Sequence, residues 1–248
     1  MMLGMATPDQ LMNEILHHTQ TDPHKRASGL SDFILGAQDG LVNVLGVVLG
    51  IAAATSDARI VLVAGLATTF AESISMGAVA YTTTLADADL YQSEREREYR
   101  HIIETPHLEI KEIHDIYERK GFKGHLLDRI VGTITANQDV WVAVMMAEEH
   151  KLAPVNRKTA FRAALVVGLA AIIGSLVPLF PFMFLSVSIS MWLSVLVTAL
   201  VLFAIGVYKA RVTVGKPMKS GIEMAVIGTV SALAGYLVGY LLKVPPVP

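Results

Sequence analysis

The sequence predicts an all-α, polytopic membrane protein: five transmembrane helices, with a cytosolic helical insert between helices two and three. Three observations carry this. The 248 residues are 53% hydrophobic and only 17% charged, where soluble domains carry about 25% charged residues, and the mean hydropathy is +0.51. Charge is segregated: 14 of the 22 acidic residues, 11 of the 20 basic ones and five of the eight His fall between Thr82 and Thr159. Two apolar stretches precede that polar segment and three follow it. The predicted organisation is an N-terminal cytosolic segment (1–31), helices one and two (32–82), the insert (83–158) and helices three to five (159–248).

The same composition excludes several classes. With no Cys, disulfides, thiolate metal sites and thiol catalysis are ruled out. No basic patch argues for nucleic acid, and a net charge of −2 says little when the charge is so unevenly spread. The N-terminus shows no basic region followed by an apolar core, so no signal peptide is expected.

In chain order, Pro8 to about His18 reads as a short amphipathic helix, and His17, His18 and His24 as surface histidines. Phe33–Ala54 is the first span. Its 22 residues hold one ionisable side chain, Asp39, and at ~1.5 Å per residue it reaches ~33 Å, enough for a hydrocarbon core of ~30 Å. Gly36, Gly40, Gly46 and Gly50 offer small surfaces for close helix approach. The loop TSDAR leads to a second span, about Ile60–Tyr81, which contains Glu72. The insert reads as four helices, Asp87–Glu104, His107–Lys120, Lys123–Asn137 and Asp139–His150, broken at Pro106 and Gly121. Span three is about Thr159–Phe182, ended by Pro178 and Pro181; span four is about Leu185–Tyr208; span five is about Gly221–Leu242. Lys25 and Arg26 precede span one, and Lys209, Arg211, Lys216 and Lys219 join spans four and five. The positive-inside rule therefore places the N-terminus and insert in the cytosol and the C-terminus outside.

Candidate ligands fall in two groups. A carboxylate in hydrocarbon costs a few kcal/mol, so an intramembrane acid marks a functional site by default. Counted from the cytosolic ends of their spans, Asp39 and Met76 share a layer, and Asn43 and Glu72 share the next one deeper. Asp39 and Asn43, like Glu72 and Met76, are four residues apart on one helix face. Two carboxylates with amide and thioether donors beside them read as a cation path. One chain offers few ligands there, and a two-fold dimer would double the set. In the insert, Glu94, Glu98 and His101 share one helix face, Glu109 and Glu112 another, and Met145 and Glu149 a third. Such spacings suit a shared ion, but with Arg95, Arg97 and Arg100 interleaved they suit a salt-bridged face equally well.

The stretches DGLVNVLGVVLG, SISMGAVAY, ETPHLEIKEIHDIYERKGF, WVAVMMAEEHKL and GIEMAVIGTVSALAGYLVGYLL together resemble the vacuolar iron transporter family, over about Leu30–Leu242. The resemblance implies a five-span homodimer that moves Fe2+, and often Mn2+, out of the cytosol in exchange for protons. It implies Asp39 and Met76 on the translocation path. It also implies Glu98, Glu109, Glu112, Met145 and Glu149 as metal ligands of the insert, with Trp141 as their marker. Two positions depart from the family pattern: Ala80 stands where the family has Glu, with Glu72 two turns earlier on that face, and His101 stands where Glu is common.

The expected function is thus a proton-coupled divalent-metal exporter in the lipid bilayer. The metal is substrate, and no cofactor is expected to be permanently bound. Carboxylate, imidazole and thioether donors suit Fe2+ and Co2+ and tolerate Mn2+. The competing readings are a membrane-anchored di-iron ferroxidase, since Glu98–His101 and Glu104–His107 both satisfy Glu-x-x-His, and a metal sensor without transport.

Overall fold

A computed structural model describes residues 28–213 and 215–243. The described residues form eight α-helices and one 3-10 turn. They are α1 (Ser28–Thr55), α2 (Ala58–Glu104), α3 (Pro106–Arg119), α4 (Gly124–Thr135), α5 (Gln138–Glu148), α6 (Thr159–Leu179), the 3-10 turn Phe180–Met183, α7 (Val187–Val212) and α8 (Pro217–Leu241). Five of them, α1, α2, α6, α7 and α8, are long and apolar enough to cross a membrane. The helix expected at Pro8–His18 and the three N-terminal histidines lie outside the described residues.

The bundle is arranged for lipid. Its outer surface carries large apolar side chains, including Phe70 and Ile74 on α2, Trp192, Leu196 and Leu200 on α7, and Leu233 and Leu237 on α8. Its helix contacts hold small and hydroxyl residues: Thr69, Ser73, Ser175, Ser190, Ser194 and Thr198 are all buried. Without a hydrophobic drive between helices, close van der Waals approach and hydrogen bonds hold a bundle in lipid together. The Ser194 hydroxyl, for example, donates to the Pro178 carbonyl at 2.7 Å, tying α7 to the end of α6.

Helix α1 is the centre of this bundle, and its glycines serve two neighbours. Gly36 and Gly40 lie against the carbonyls of Val167 and Ala171 on α6. One to three turns further on, Gly46 and Gly50 meet Gly235 and Gly239 of α8, backbone to backbone. A Cβ at Gly239 would overlap the Gly50 carbonyl, so this crossing has no room for any other residue.

The sequence reading divides span two from the first insert helix; the structure instead has one 47-residue helix. At ~1.5 Å per residue it is ~70 Å long, over twice a bilayer's hydrocarbon thickness. The junction contains no Gly or Pro, and the hydroxyls of Thr82, Thr83 and Thr84 bond back to carbonyls of Ala78, Val79 and Ala80, so nothing stops the helix there. Asp57 caps its start, accepting from the Arg59 and Ile60 amides at 2.8 and 3.2 Å.

The far end of α2 joins α3, α4 and α5 around a separate apolar core of Ile102, Ile113, Ile116, Leu127, Val131, Trp141 and Met145, among others. α4 and α5 meet at a 112° bend. The Tyr99 hydroxyl bridges Arg95, which donates to it at 3.1 Å, and the Asp139 carboxylate, to which it donates. That bridge ties α2 to the first turn of α5.

Candidate functional site

The first cluster lies between α1 and α2. Successive turns of α1 present Asp39 and Asn43, and α2 presents Thr68, Glu72, Ser75 and Met76, all lining one open cleft of about 500 Å³. The Asn43 amide donates to Asp39 Oδ1 at 3.1 Å and to Glu72 Oε1. One amide thus bridges two carboxylates from different helices. The second Glu72 oxygen is buried with no hydrogen-bond partner. Acceptor-only oxygens with spare lone pairs beside an amide and a thioether form a donor set for a cation. Ala80 is buried two turns past Glu72 and brings no charge to this helix.

Among the described residues only α1 and α2 wall the cleft, which leaves it open. A second groove of about 670 Å³ runs between α1 and α8, from Asn43 past Gly46, Val47 and Gly50 to Ala54. Asn43 borders both, so among the described residues one face of α1 stays uncovered along most of its length.

The second cluster lies in the insert, where α2, α3 and the end of α5 converge. Glu98 and Glu109 are 2% and 4% exposed, and each keeps one carboxylate oxygen buried without a partner. His101 Nδ1 lies 3.8 Å from Glu98 Oε1 and 3.5 Å from Glu109 Oε1. His150 Nε2 lies 3.0 Å from Glu98 Oε1. Two donor triads therefore share Glu98: one with His101 and Glu109, the other with Glu149 and His150. Burial, then the charges of Glu112, Glu98 and Glu149, push the Glu109 carboxyl up to about 7. Glu149 is raised mainly by burial, then by Glu112, with His150 opposing. For His150 burial works against the charged ring, but the bond to Glu98 and the surrounding carboxylates outweigh it and raise its pKa.

These carboxylates are not the salt-bridged face that interleaved arginines would make. Arg97 pairs with Glu94 at 2.8 Å and Arg95 with Tyr99. Among the described residues no Lys or Arg lies within ion-pair distance of Glu98, Glu109, Glu112 or Glu149. Buried carboxylates are ordinarily paired or bound to metal, and among the described residues only the His101 and His150 rings, with no Lys or Arg, approach them.

Every candidate named from the sequence can be placed. Asp39, Asn43, Glu72 and Met76 share the membrane cleft. Glu98, His101, Glu109 and Glu149 converge in the insert. Glu112 is exposed and acts on Glu109 and Glu149 by charge, and Met145 is fully buried in the insert core one turn before Glu149. Glu104 and His107 are exposed on either side of the α2–α3 corner and join neither triad. Sequence reasoning missed His150. Its neighbour Glu149 was the available signal, but the helix expected over Asp139–His150 ends at Glu148, and a helical wheel does not place a residue beyond that end.

Five membrane-length helices, a carboxylate cleft between two of them and a carboxylate-lined helical insert define a multi-pass membrane protein built to handle cations. The sequence matches the VIT family over residues 30–240, and the chain belongs to that family, the vacuolar iron transporters. It is 35% identical over 222 residues to vacuolar iron transporter 1 of Oryza sativa subsp. japonica, spanning 89% of this chain and 88% of the relative. The corresponding protein of Tulipa gesneriana is 31% identical over 234 residues, 94% and 95% of the two chains. A vacuolar iron transporter of Plasmodium berghei (strain Anka) is 28% identical over 240 residues, 92% and 85%.

Proposed function

We propose that this protein exports divalent metal, Fe2+ and with it Mn2+, from the cytosol in exchange for protons, as a homodimer and without catalysing a reaction of its own. The observation that carries the reading is the Asp39–Asn43–Glu72 bridge across α1 and α2 at membrane depth. A sensor or an anchored enzyme has no use for two carboxylates there, and their cost in hydrocarbon must be offset by a function. The names of the relatives, all vacuolar iron transporters, support iron as the cargo.

Proton and metal compete for the same oxygens. Asp39 and Glu72 hold a divalent ion when both are ionised and release it when protons arrive, so metal leaves toward the acidic side as protons move the other way. Asn43 keeps its donor amide on the two carboxylates and its carbonyl free for the ion. The insert captures metal from the cytosol through its buried glutamates and concentrates it at the mouth of the cleft. A second copy across the uncovered face of α1 would complete the ligand set and close the cleft, as two-fold assembly requires. The Lys and Arg distribution favours a cytosolic N-terminus and insert, with the C-terminus outside.

The test is metal flux in proteoliposomes under anaerobic conditions with an imposed pH gradient. Fe2+ should accumulate on the acidic side, with counterflow of protons, and stop when the gradient is collapsed. Metal binding with no flux above protein-free vesicles would leave the sensor reading in its place.

A further inference from the structure

We propose that His150 is a metal ligand of the insert, and that with His101 it makes this centre a mixed imidazole–carboxylate site favouring ions such as Fe2+ and Co2+ over the harder Mn2+. The inference rests on the reading that the insert binds divalent metal, and adds which residue completes the site and what it selects.

The geometry begins at Glu98. Its Oε1 is 3.0 Å from His150 Nε2 and 3.8 Å from His101 Nδ1, and His101 Nδ1 is 3.5 Å from Glu109 Oε1. Two donors bound to one ion at ~2.1 Å stand ~3.0 Å apart at right angles, ~3.4 Å apart at the tetrahedral angle and ~4.2 Å apart when opposite. Each separation falls in that range, within two triads that share Glu98 and hold one imidazole apiece. Hydrogen bonding alone leaves the site incomplete, because Glu98 Oε2 and Glu109 Oε2 stay buried and unpartnered. A divalent ion between imidazole and carboxylate would supply the positive charge that no Lys or Arg among the described residues brings to these carboxylates.

His150 is held in place by backbone. α5 ends at Glu148; the His150 amide then donates to the Met145 carbonyl at 3.3 Å and that of Leu152 to Met146 at 3.0 Å. Between them Lys151 takes a left-handed conformation, φ 55°. The turn lays the His150 ring against a glutamate 52 residues earlier in the chain. The two imidazoles thus flank one carboxylate, His101 from α2 and His150 from the turn after α5. Carboxylate and water ligands suit Mn2+, whereas imidazole suits Fe, Cu, Ni and Zn, and affinity for nitrogen donors rises from Mn2+ through Fe2+ to Co2+.

The experiment uses the full-length protein in detergent, with Co2+ and Mn2+ as separate probes and calorimetry as readout. Replacing His150 with Gln or with Leu should weaken Co2+ binding by about tenfold or more and Mn2+ binding by less than about threefold. Equal losses for both ions, or none for Co2+, would overturn the assignment while leaving metal binding by the insert intact. A wild-type protein that binds neither ion would overturn the underlying reading as well. Paramagnetic proton NMR of Co2+ bound to the protein carrying His101→Gln and His114→Gln gives an answer that needs no change at position 150. Hyperfine-shifted imidazole signals must remain, and their absence would refute His150 as a ligand.

Discussion

Glu109 shows at the scale of one residue what the insert gives up to hold its site. Its carboxyl ordinarily titrates at 4.5 and is pushed up to about 7 by burial and by three neighbouring carboxylates. Below about 4.5 the folded and unfolded chains both hold the proton. Between 4.5 and about 7 the folded chain keeps it and the unfolded chain does not, so stability falls as pH rises through this window, and above it the penalty is constant. The metal-free protein should therefore melt at progressively lower temperature from pH 5 to pH 7.5, and Glu109→Gln should flatten that slope. Identical slopes for the two proteins would mean that Glu109 is not buried beside its acidic neighbours. The residues of the two clusters were unequally legible. Asp39 and Glu72 stood out because each is a lone carboxylate in an apolar stretch. Glu98 and Glu109 followed from helical spacing and family resemblance. His150 could not follow, because what makes it relevant is a contact across 52 residues and a turn beyond the helix.

At the scale of elements, the glycines of α1 set the bundle's geometry. Gly50 and Gly239 touch through their backbones, and any side chain at 239 meets the Gly50 carbonyl. Gly239→Val should separate α1 from α8 and destabilise the protein by roughly 1–3 kcal/mol, the usual cost of overpacking. Its midpoint in a detergent melt should drop accordingly, and an unchanged midpoint would argue that the crossing is looser than described. These glycines were visible in the sequence as small surfaces, but the division of labour, two for α6 and two for α8, depends on which helix lies on which side. The continuity of α2 was hidden for a related reason. Hydropathy marks where a chain leaves the membrane, not where its helix ends, and the TTTLADAD junction has a polarity change without a helix-breaking residue. The rod has a mechanical consequence: Glu72 and Met76 of the cleft and Glu98 and His101 of the insert ride on one helix, so a tilt of α2 moves both centres together.

At the scale of the whole molecule, the two clusters lie along one helix, Glu72 and Met76 in the cleft and Glu98 and His101 in the insert. The insert gathers buried carboxylates and imidazoles on one end of α2, and the cleft continues the same donor chemistry into the bilayer. The class of fold was legible because composition, charge segregation and five apolar lengths all agree on it. The uncovered face of α1 was not, because no single-chain pattern distinguishes a lipid-facing stripe from one that meets a second copy. The claim that joins these parts is that Asp39 handles the moving ion. Asp39→Asn keeps size and hydrogen bonding to Asn43 within reach, removes the ionisable charge, and lowers the cost of burying the site. The decisive measurement is Fe2+ flux into proteoliposomes across a pH series, for wild type and Asp39→Asn, with dimer content checked by size exclusion. The variant should fold, assemble and bind metal through its insert, yet lose most or all transport at every pH. Wild-type flux from the Asp39→Asn protein would contradict that claim.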